Sequence, residues 1–228
     1  MNVIDDFYKL TTLPNGDLVS ISYDNAINLK IWNPNDDTLK RTLTDHTGNN
    51  GLTTLPNSDL VSSTGDGTIK IWNPNDGTLK RTLTGHTRIV YALITLPNGD
   101  LVSGSRDHTI KIWNPNDGIL KRTMNVDDDV LLLATFPNSD LVSVTSDDTI
   151  KIWNPNDGTL KRTLNKHTYS VPPFFDGVHA LTTLPNGDLV SASYDQIKIW
   201  NPNDGTLQRT LTGHTHYVWA LTTLPNGD

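Results

Sequence analysis

Short segments that alternate apolar and polar residues follow one another along the chain, separated by clusters of turn-forming residues. Between Val90 and Met124, these segments end at Pro-Asn-Gly-Asp or at Asn-Pro-Asn-Asp-Gly. Alternation over about four to eight residues favours strands, and the intervening residues preset or tolerate turn dihedral angles. The pattern predicts an antiparallel sheet of four strands: Val90–Leu96, Leu101–Ser105, Thr109–Trp113 and Ile119–Met124.

The same pattern recurs about every 40 residues. Each copy contains the pair Ile-Trp followed by Asn-Pro-Asn-Asp, with the tryptophans at Trp32, Trp72, Trp113, Trp153 and Trp200. A fixed period of roughly 20–50 residues is typical of architectures in which each repeat is one supersecondary unit. We therefore predict five four-stranded units, at about 7–44, 49–84, 90–124, 130–164 and 178–212, and the first strand of a sixth unit at 217–228.

Composition argues against a helical fold. All 25 acidic residues are Asp, Glu is absent, and Ala occurs six times. Glu and Ala are strong helix formers, whereas the abundant Thr, Ile and Val suit strands. The chain is therefore predicted to be all-β.

The unit from Leu83 to Arg122 resembles the WD repeat, whose signature is a Gly-His pair before the first strand and a Trp-Asp pair at the end of the third. This chain has Gly85-His86 in that unit, and Asn replaces the usual Asp after each Trp. The resemblance covers nearly the whole chain, from about Phe7 to Asp228, and implies a β-propeller whose blades are the repeated units. Because such propellers usually close with seven blades, we expect an incomplete ring from a longer protein, with a self-closed five-bladed ring as the alternative.

The resemblance also implies a hydrogen-bonded structural tetrad in each blade, made of His, Ser, Asp and Trp. It can be carried over in full to three blades, as His46, Ser62, Asp66 and Trp72; His86, Ser103, Asp107 and Trp113; and His167, Ser191, Asp195 and Trp200. The first blade has Ser20, Asp24 and Trp32 but lacks the His. The fourth has Asp127 at the His position, facing Asp147, so we expect one carboxyl group to protonate or turn outward and this blade to be locally the weakest.

We predict no catalytic residues, no metal and no cofactor. A hydrolase triad needs an exposed nucleophile beside an oxyanion site, whereas Ser, His and Asp recur here with a Trp at the repeat period, as packing residues would. The pair His214 and His216 lacks a thiol or carboxylate cluster that would complete a metal site. The Asn-Gly and Asp-Gly pairs predict hairpin turns and not a phosphate-binding loop.

The net charge and the lengths of the apolar segments restrict the classes of binding partner and the cellular location that we expect for the protein. The formal net charge of -7 argues against general binding to nucleic acids or anionic membranes. Most Lys and Arg residues recur on the third and fourth strands, where we interpret them as protection of the outer sheet edge. The sequence has no Cys, no apolar run long enough for a membrane helix and no signal-peptide pattern. We expect a soluble protein of the cytoplasm, with the nucleus as an alternative.

The copies differ from one another mainly in the loops that the resemblance places on the top face of a propeller. Aromatic residues, Arg and His stand out there, at Tyr8, Tyr23, Arg88, Tyr91, Arg106, His179, Tyr194 and Trp219. Aromatic residues and Arg dominate the energetics of many protein interfaces, although drift in unconstrained loops also produces such divergence. An insertion before the fifth blade adds Phe174 and Phe175, which predict either a docking loop or a cap over the top face.

We therefore predict a non-catalytic protein–protein interaction scaffold or adaptor that docks proteins or peptides on the top face and its loops. Further blades of a longer chain, or self-association, would complete the ring. The first alternative is a sensor or regulatory array of a larger signalling ATPase. A propeller enzyme with a site in the central channel is a less favoured alternative.

Overall fold

The computed structural model describes residues 6–23, 27–44, 51–164 and 177–223. Within these ranges the protein is all-β, as predicted, with twenty strands in five sheets. Each sheet has four antiparallel strands that lie in chain order. No helix in the described part of the chain has the length and apolar character needed to cross a membrane.

The chain divides into two compact units, Met1–Asn125 and Val126–Asp228. The first unit contains three sheets, or blades: β1 (Asp6–Thr12), β2 (Leu18–Tyr23), β3 (Ile27–Asn33) and β4 (Thr38–Leu43); β5 (Leu52–Thr54), β6 (Leu60–Ser63), β7 (Ile69–Trp72) and β8 (Leu79–Leu83); and β9 (Val90–Thr95), β10 (Leu101–Ser105), β11 (Thr109–Trp113) and β12 (Leu120–Asn125). The second unit contains two blades: β13 (Val130–Thr135), β14 (Leu141–Thr145), β15 (Ile150–Trp153) and β16 (Leu160–Leu164); and β17 (Ala180–Thr183), β18 (Leu189–Ala192), β19 (Gln196–Trp200) and β20 (Leu207–Thr212).

The strands of the third blade lie close to the predicted positions. The two middle strands have the predicted bounds, and the fourth strand, Leu120–Asn125, begins and ends one residue later than expected. The shift accompanies a bulge between Ile112 and Trp113, after which Trp113 pairs with Leu120. Such a bulge places an extra residue in one strand, so turn chemistry alone does not fix the first paired residue.

The apolar core lies between consecutive blades of each unit. One cluster combines the inner residues of the second blade, such as Ile69 and Leu83, with Leu101 and Trp113 of the third. Comparable clusters contain Trp72, packed with residues of the first blade, and Trp200, packed with residues of the fourth. Trp72, Trp113 and Trp200 therefore bury their rings against the preceding blade of the same unit, which couples these neighbouring repeats through apolar burial.

The cations on the fourth strands make specific contacts in addition to lying at an edge. Lys80 forms an ion pair with Asp59 of its own blade at 2.5 Å. The guanidinium of Arg81 donates hydrogen bonds to the carbonyl oxygens of Asn116 and Asp117 in the next blade, at 2.8 and 2.9 Å. The interpretation of these cations as edge protection is therefore incomplete, because they also connect turns within and between blades.

The predicted first strand of a sixth blade is not formed over the described residues 213–223. A strand requires a partner strand, and the described residues after Thr212 supply none. The segment lies instead against the fifth blade, where the backbone N–H of Val218 donates to the carbonyl oxygen of Ser193 at 3.1 Å. Val218 is buried and packs with Ala180 and Ala192.

Candidate functional site

The same hydrogen bond links the second and third strands of every blade. The indole Nε1–H of the repeated Trp donates to a Ser hydroxyl at 2.8–2.9 Å, in the pairs Trp32–Ser20, Trp72–Ser62, Trp113–Ser103, Trp153–Ser143 and Trp200–Ser191. In the third blade, Leu101 lies opposite Trp113 and Ser103 lies opposite Lys111. The Trp and the Ser are thus diagonal neighbours on one face of the sheet, within reach of a large side chain.

The third blade extends this bond into a network of four side chains. Ser103 Oγ lies 2.7 Å from His86 Nε2, and His86 Nδ1 lies 2.8 Å from Asp107 Oδ2. Asp107 also accepts hydrogen bonds from the backbone N–H groups of Thr87 and Thr109, both at 3.0 Å. The carboxylate therefore fixes the loop before β9 to the turn between β10 and β11.

The Gly of the Gly-His pair has a packing role in this network. Gly85 adopts a φ of 149°, a conformation that L side chains rarely adopt. A Cβ at Gly85 would come within 3.0 Å of the indole ring of Trp113. The backbone therefore passes closely over Trp113 and directs the next side chain, His86, toward Ser103.

The protonation states of His86 and Asp107 determine which group donates in each hydrogen bond of this network. Burial lowers the pKa of His86 below its usual 6.5, outweighing the opposing effect of Asp107, so the imidazole is neutral at pH 7. Burial alone would raise the pKa of Asp107, but hydrogen bonds from Thr109, Thr87 and His86 together hold it below its usual value. Donation thus runs from Trp113 N–H to Ser103, from Ser103 O–H to His86 Nε2, and from His86 Nδ1–H to Asp107.

We expect the stability of the third blade to fall as the pH decreases below about 6.5. The lowered pKa of His86 means that, in this range, the unfolded chain binds more protons than the folded chain, so acidification favours unfolding. Urea denaturation at several pH values would measure this dependence for the wild type and for His86→Gln, which cannot titrate there. The variant should show a shallower slope, and equal slopes would contradict the assignment.

The other predicted tetrads are described in part. His46, Asp24 and His167 lie outside the described residues. Asp66 accepts hydrogen bonds from Thr64 and Thr68, which hold its pKa below the usual value. Asp195 lies in the bend between β18 and β19.

The fourth blade avoids the close approach of two carboxylates because Asp127 turns outward. Its side chain is 88% exposed and forms an ion pair with the ammonium of Lys151. Asp147 instead accepts hydrogen bonds from the hydroxyls of Thr145 and Thr149, both at 2.7 Å. Of the two expected outcomes for this pair, outward rotation is the one found.

A cluster of five rings forms at the fifth blade, where the chain passes from β20 along residues 213–219. This aromatic cluster consists of His179, Tyr194, His216, Tyr217 and Trp219. The ring centroids are 4.6 Å apart for His179 and Trp219, and 4.8 Å apart for Tyr194 and Tyr217. Trp219 remains 67% exposed, so the cluster presents an aromatic surface to solvent.

Three members of the aromatic cluster, His179, Tyr194 and Trp219, are among the predicted partner-binding residues. His216 and Tyr217 are not among them, and the sequence draws attention to His216 only through its spacing from His214. Tyr217 occupies the repeat position held by Ile89 in the third blade, so a comparison of copies at that position also points to it.

The structure does not bring all the predicted partner-binding residues into one described site. Arg88 and Arg106 are exposed residues of the third blade, and Tyr91 is half-buried on β9. The carbonyl oxygen of Tyr91 accepts a hydrogen bond from Lys9 Nζ at 3.5 Å, and burial lowers the pKa of Lys9. The side chains of Tyr8 and Tyr23 lie outside the described part of the structure, as do Phe174 and Phe175.

Comparison with known proteins identifies the repeat. The family profile described as WD domain, G-beta repeat, matches residues 37–73, 77–114 and 120–154. A search among curated proteins gives no match to the chain. WD repeats build a fold that is typical of protein-interaction scaffolds. The three matched repeats and the five four-stranded sheets show that the chain belongs to the WD-repeat family.

Proposed function

We propose that the chain is a non-catalytic scaffold or adaptor that docks partner proteins through the aromatic cluster of the fifth blade. The exposed ring of Trp219, supported by His179 and Tyr217, carries this proposal. Large aromatic side chains held in fixed positions are typical centres of protein interfaces, because they bury much area and lose few rotamers. The resemblance to WD repeats implies that this surface belongs to loops of the top face.

The buried network of the third blade supports the non-catalytic part of the proposal. Ser103 is 0% exposed, and its hydroxyl already contacts both Trp113 and His86. A nucleophile must reach its substrate, so this Ser-His-Asp set suits a structural role. We further propose a cytoplasmic or nuclear location, and completion of the propeller by further blades or by self-association.

Affinity capture with matched variants tests the docking surface. The wild type, the double variant Trp219→Ala with Tyr194→Ala, and the control Leu160→Ala would each be used to capture proteins from an extract of the source cells. Leu160 lies on β16 of the same unit and is an exposed apolar residue, so it controls for loss of apolar surface.

We expect the double variant to lose proteins that the wild type and Leu160→Ala both retain. Circular dichroism would check that the folded sheet content is unchanged. The same set of captured proteins for all three forms would contradict the proposed docking surface.

A further inference from the structure

The rings of the aromatic cluster pack closely against one another. The rings of Tyr217 and Trp219 lie 5.1 Å apart with 36° between their planes, and those of His179 and Trp219 lie 4.6 Å apart with 47° between theirs. Rings packed this closely against one another leave no space for a ligand between them. The surface available to a ligand is therefore the solvent-facing side of Trp219, whose ring face attracts cations through its quadrupole.

The loops at the same ends of the strands carry negative charge. In the second unit, the described loops before β13, between β14 and β15, and between β18 and β19 contain six Asp: Asp127, Asp128, Asp129, Asp147, Asp148 and Asp195. These described loops, and residues 177–179 and 213–223, contain no Lys or Arg. Asp127 is paired with Lys151, and the other five Asp still leave these loops with a net negative charge, which favours the approach of a cationic ligand over an anionic one.

One of these carboxylates lies beside the start of the segment that carries His179. A Cβ at Gly177 would come within 2.8 Å of Asp148 Oδ1, so the backbone at Gly177 runs against this carboxylate. Asp195 directly follows Tyr194 in the chain. One carboxylate thus lies against the backbone two residues before His179, and another belongs to the residue that follows Tyr194.

We propose that the aromatic cluster binds an arginine side chain within a basic segment of the partner; this inference rests on the proposed docking function. A planar guanidinium can stack on the face of Trp219 and still direct its N–H groups toward carboxylates of the neighbouring loops. The compact ammonium of lysine gains less binding energy from the ring face of Trp219, because it has no planar surface to stack on it.

A labelled synthetic peptide tests this assignment. The probe is a fluorescein-labelled nonapeptide with two arginines among glycine and alanine, compared with the same peptide carrying citrulline or lysine. Citrulline preserves the shape of arginine but removes its charge. In anisotropy titrations we expect the citrulline peptide to bind about tenfold more weakly than the arginine peptide, and the lysine peptide to be intermediate.

The location of the peptide is read from tryptophan fluorescence. Trp72, Trp113, Trp153 and Trp200 are buried, Trp32 is half-buried and Trp219 is 67% exposed, so the acrylamide quenching that is lost in Trp219→Ala reports on Trp219. The arginine peptide should protect this fluorescence from quenching. Trp219→Ala should weaken binding of the arginine peptide about tenfold, and Leu160→Ala should leave it unchanged.

Several results would overturn the arginine assignment. These are equal affinity for the arginine and citrulline peptides, no binding of the arginine peptide, and undiminished binding to Trp219→Ala. If protein capture still depends on Trp219 and Tyr194 in any of these cases, the docking function stands and the partner chemistry is wrong. Peptide binding at Trp219 together with unaltered protein capture would instead contradict the docking function.

Discussion

Replacement of Trp113 by alanine is expected to lower the free energy of unfolding of the third blade by about 3–5 kcal/mol. The side chain is 2% exposed and lies in the apolar cluster that joins the second and third blades. Truncation would open a cavity between these blades. It would also remove the Nε1–H donor to Ser103, so both packing and hydrogen bonding are lost.

Urea denaturation followed by circular dichroism would measure this loss. Hydrogen exchange of the β9–β12 amides would show whether it is concentrated in the third blade, as expected where each repeat contacts mainly its neighbours. Trp219→Ala is the matched control, since it removes the same side chain from an exposed position, and should lower the free energy of unfolding by no more than about 1 kcal/mol, the cost of its ring contacts with His179 and Tyr217. A loss below about 1 kcal/mol for Trp113→Ala would contradict the burial argument.

The strands could be predicted because their signals are local. Alternation and turn residues around Leu101–Ser105 are visible within a few positions of the sequence, and the period repeats them five times. The location of the core is not a local property. The recurring Trp marks each repeat, but nothing near Trp113 in the sequence shows that its ring packs against Leu83 of the previous blade.

Some candidate site residues can likewise be predicted from a local motif, whereas the grouping of others depends on how distant parts of the chain pack. The resemblance to WD repeats predicts His86, Ser103 and Asp107 as a hydrogen-bonded set, and the third blade has these contacts. The grouping of Tyr194 with Trp219 depends on how residues 213–219 lie against the fifth blade. The sequence predicts that this segment begins a sixth blade, and therefore does not predict its packing against the fifth. The outward position of Asp127 is accompanied by an ion pair with Lys151, which lies 24 residues later in the chain.

Replacement of Ser103 by alanine should lower the free energy of unfolding by about 2–4 kcal/mol, although it removes a single oxygen atom. Ser103 is fully buried and is the shared partner of the Trp113 indole and His86 Nε2. Without the hydroxyl, two buried polar groups lose their partner at once, and each unsatisfied group costs about 1–3 kcal/mol. Urea denaturation above pH 7, where His86 is neutral, measures the loss.

Ser143→Ala in the fourth blade separates the two contributions. Ser143 is equally buried and accepts the same indole hydrogen bond, from Trp153 at 2.9 Å, but Asp127 stands at the His position and points outward. Its replacement should therefore cost about 1–2 kcal/mol, since one polar group is left unsatisfied. The difference between the two variants measures the bond between Ser103 and His86. Equal losses would mean that this bond adds no stability, and that the His of the Gly-His pair acts through Asp107 alone.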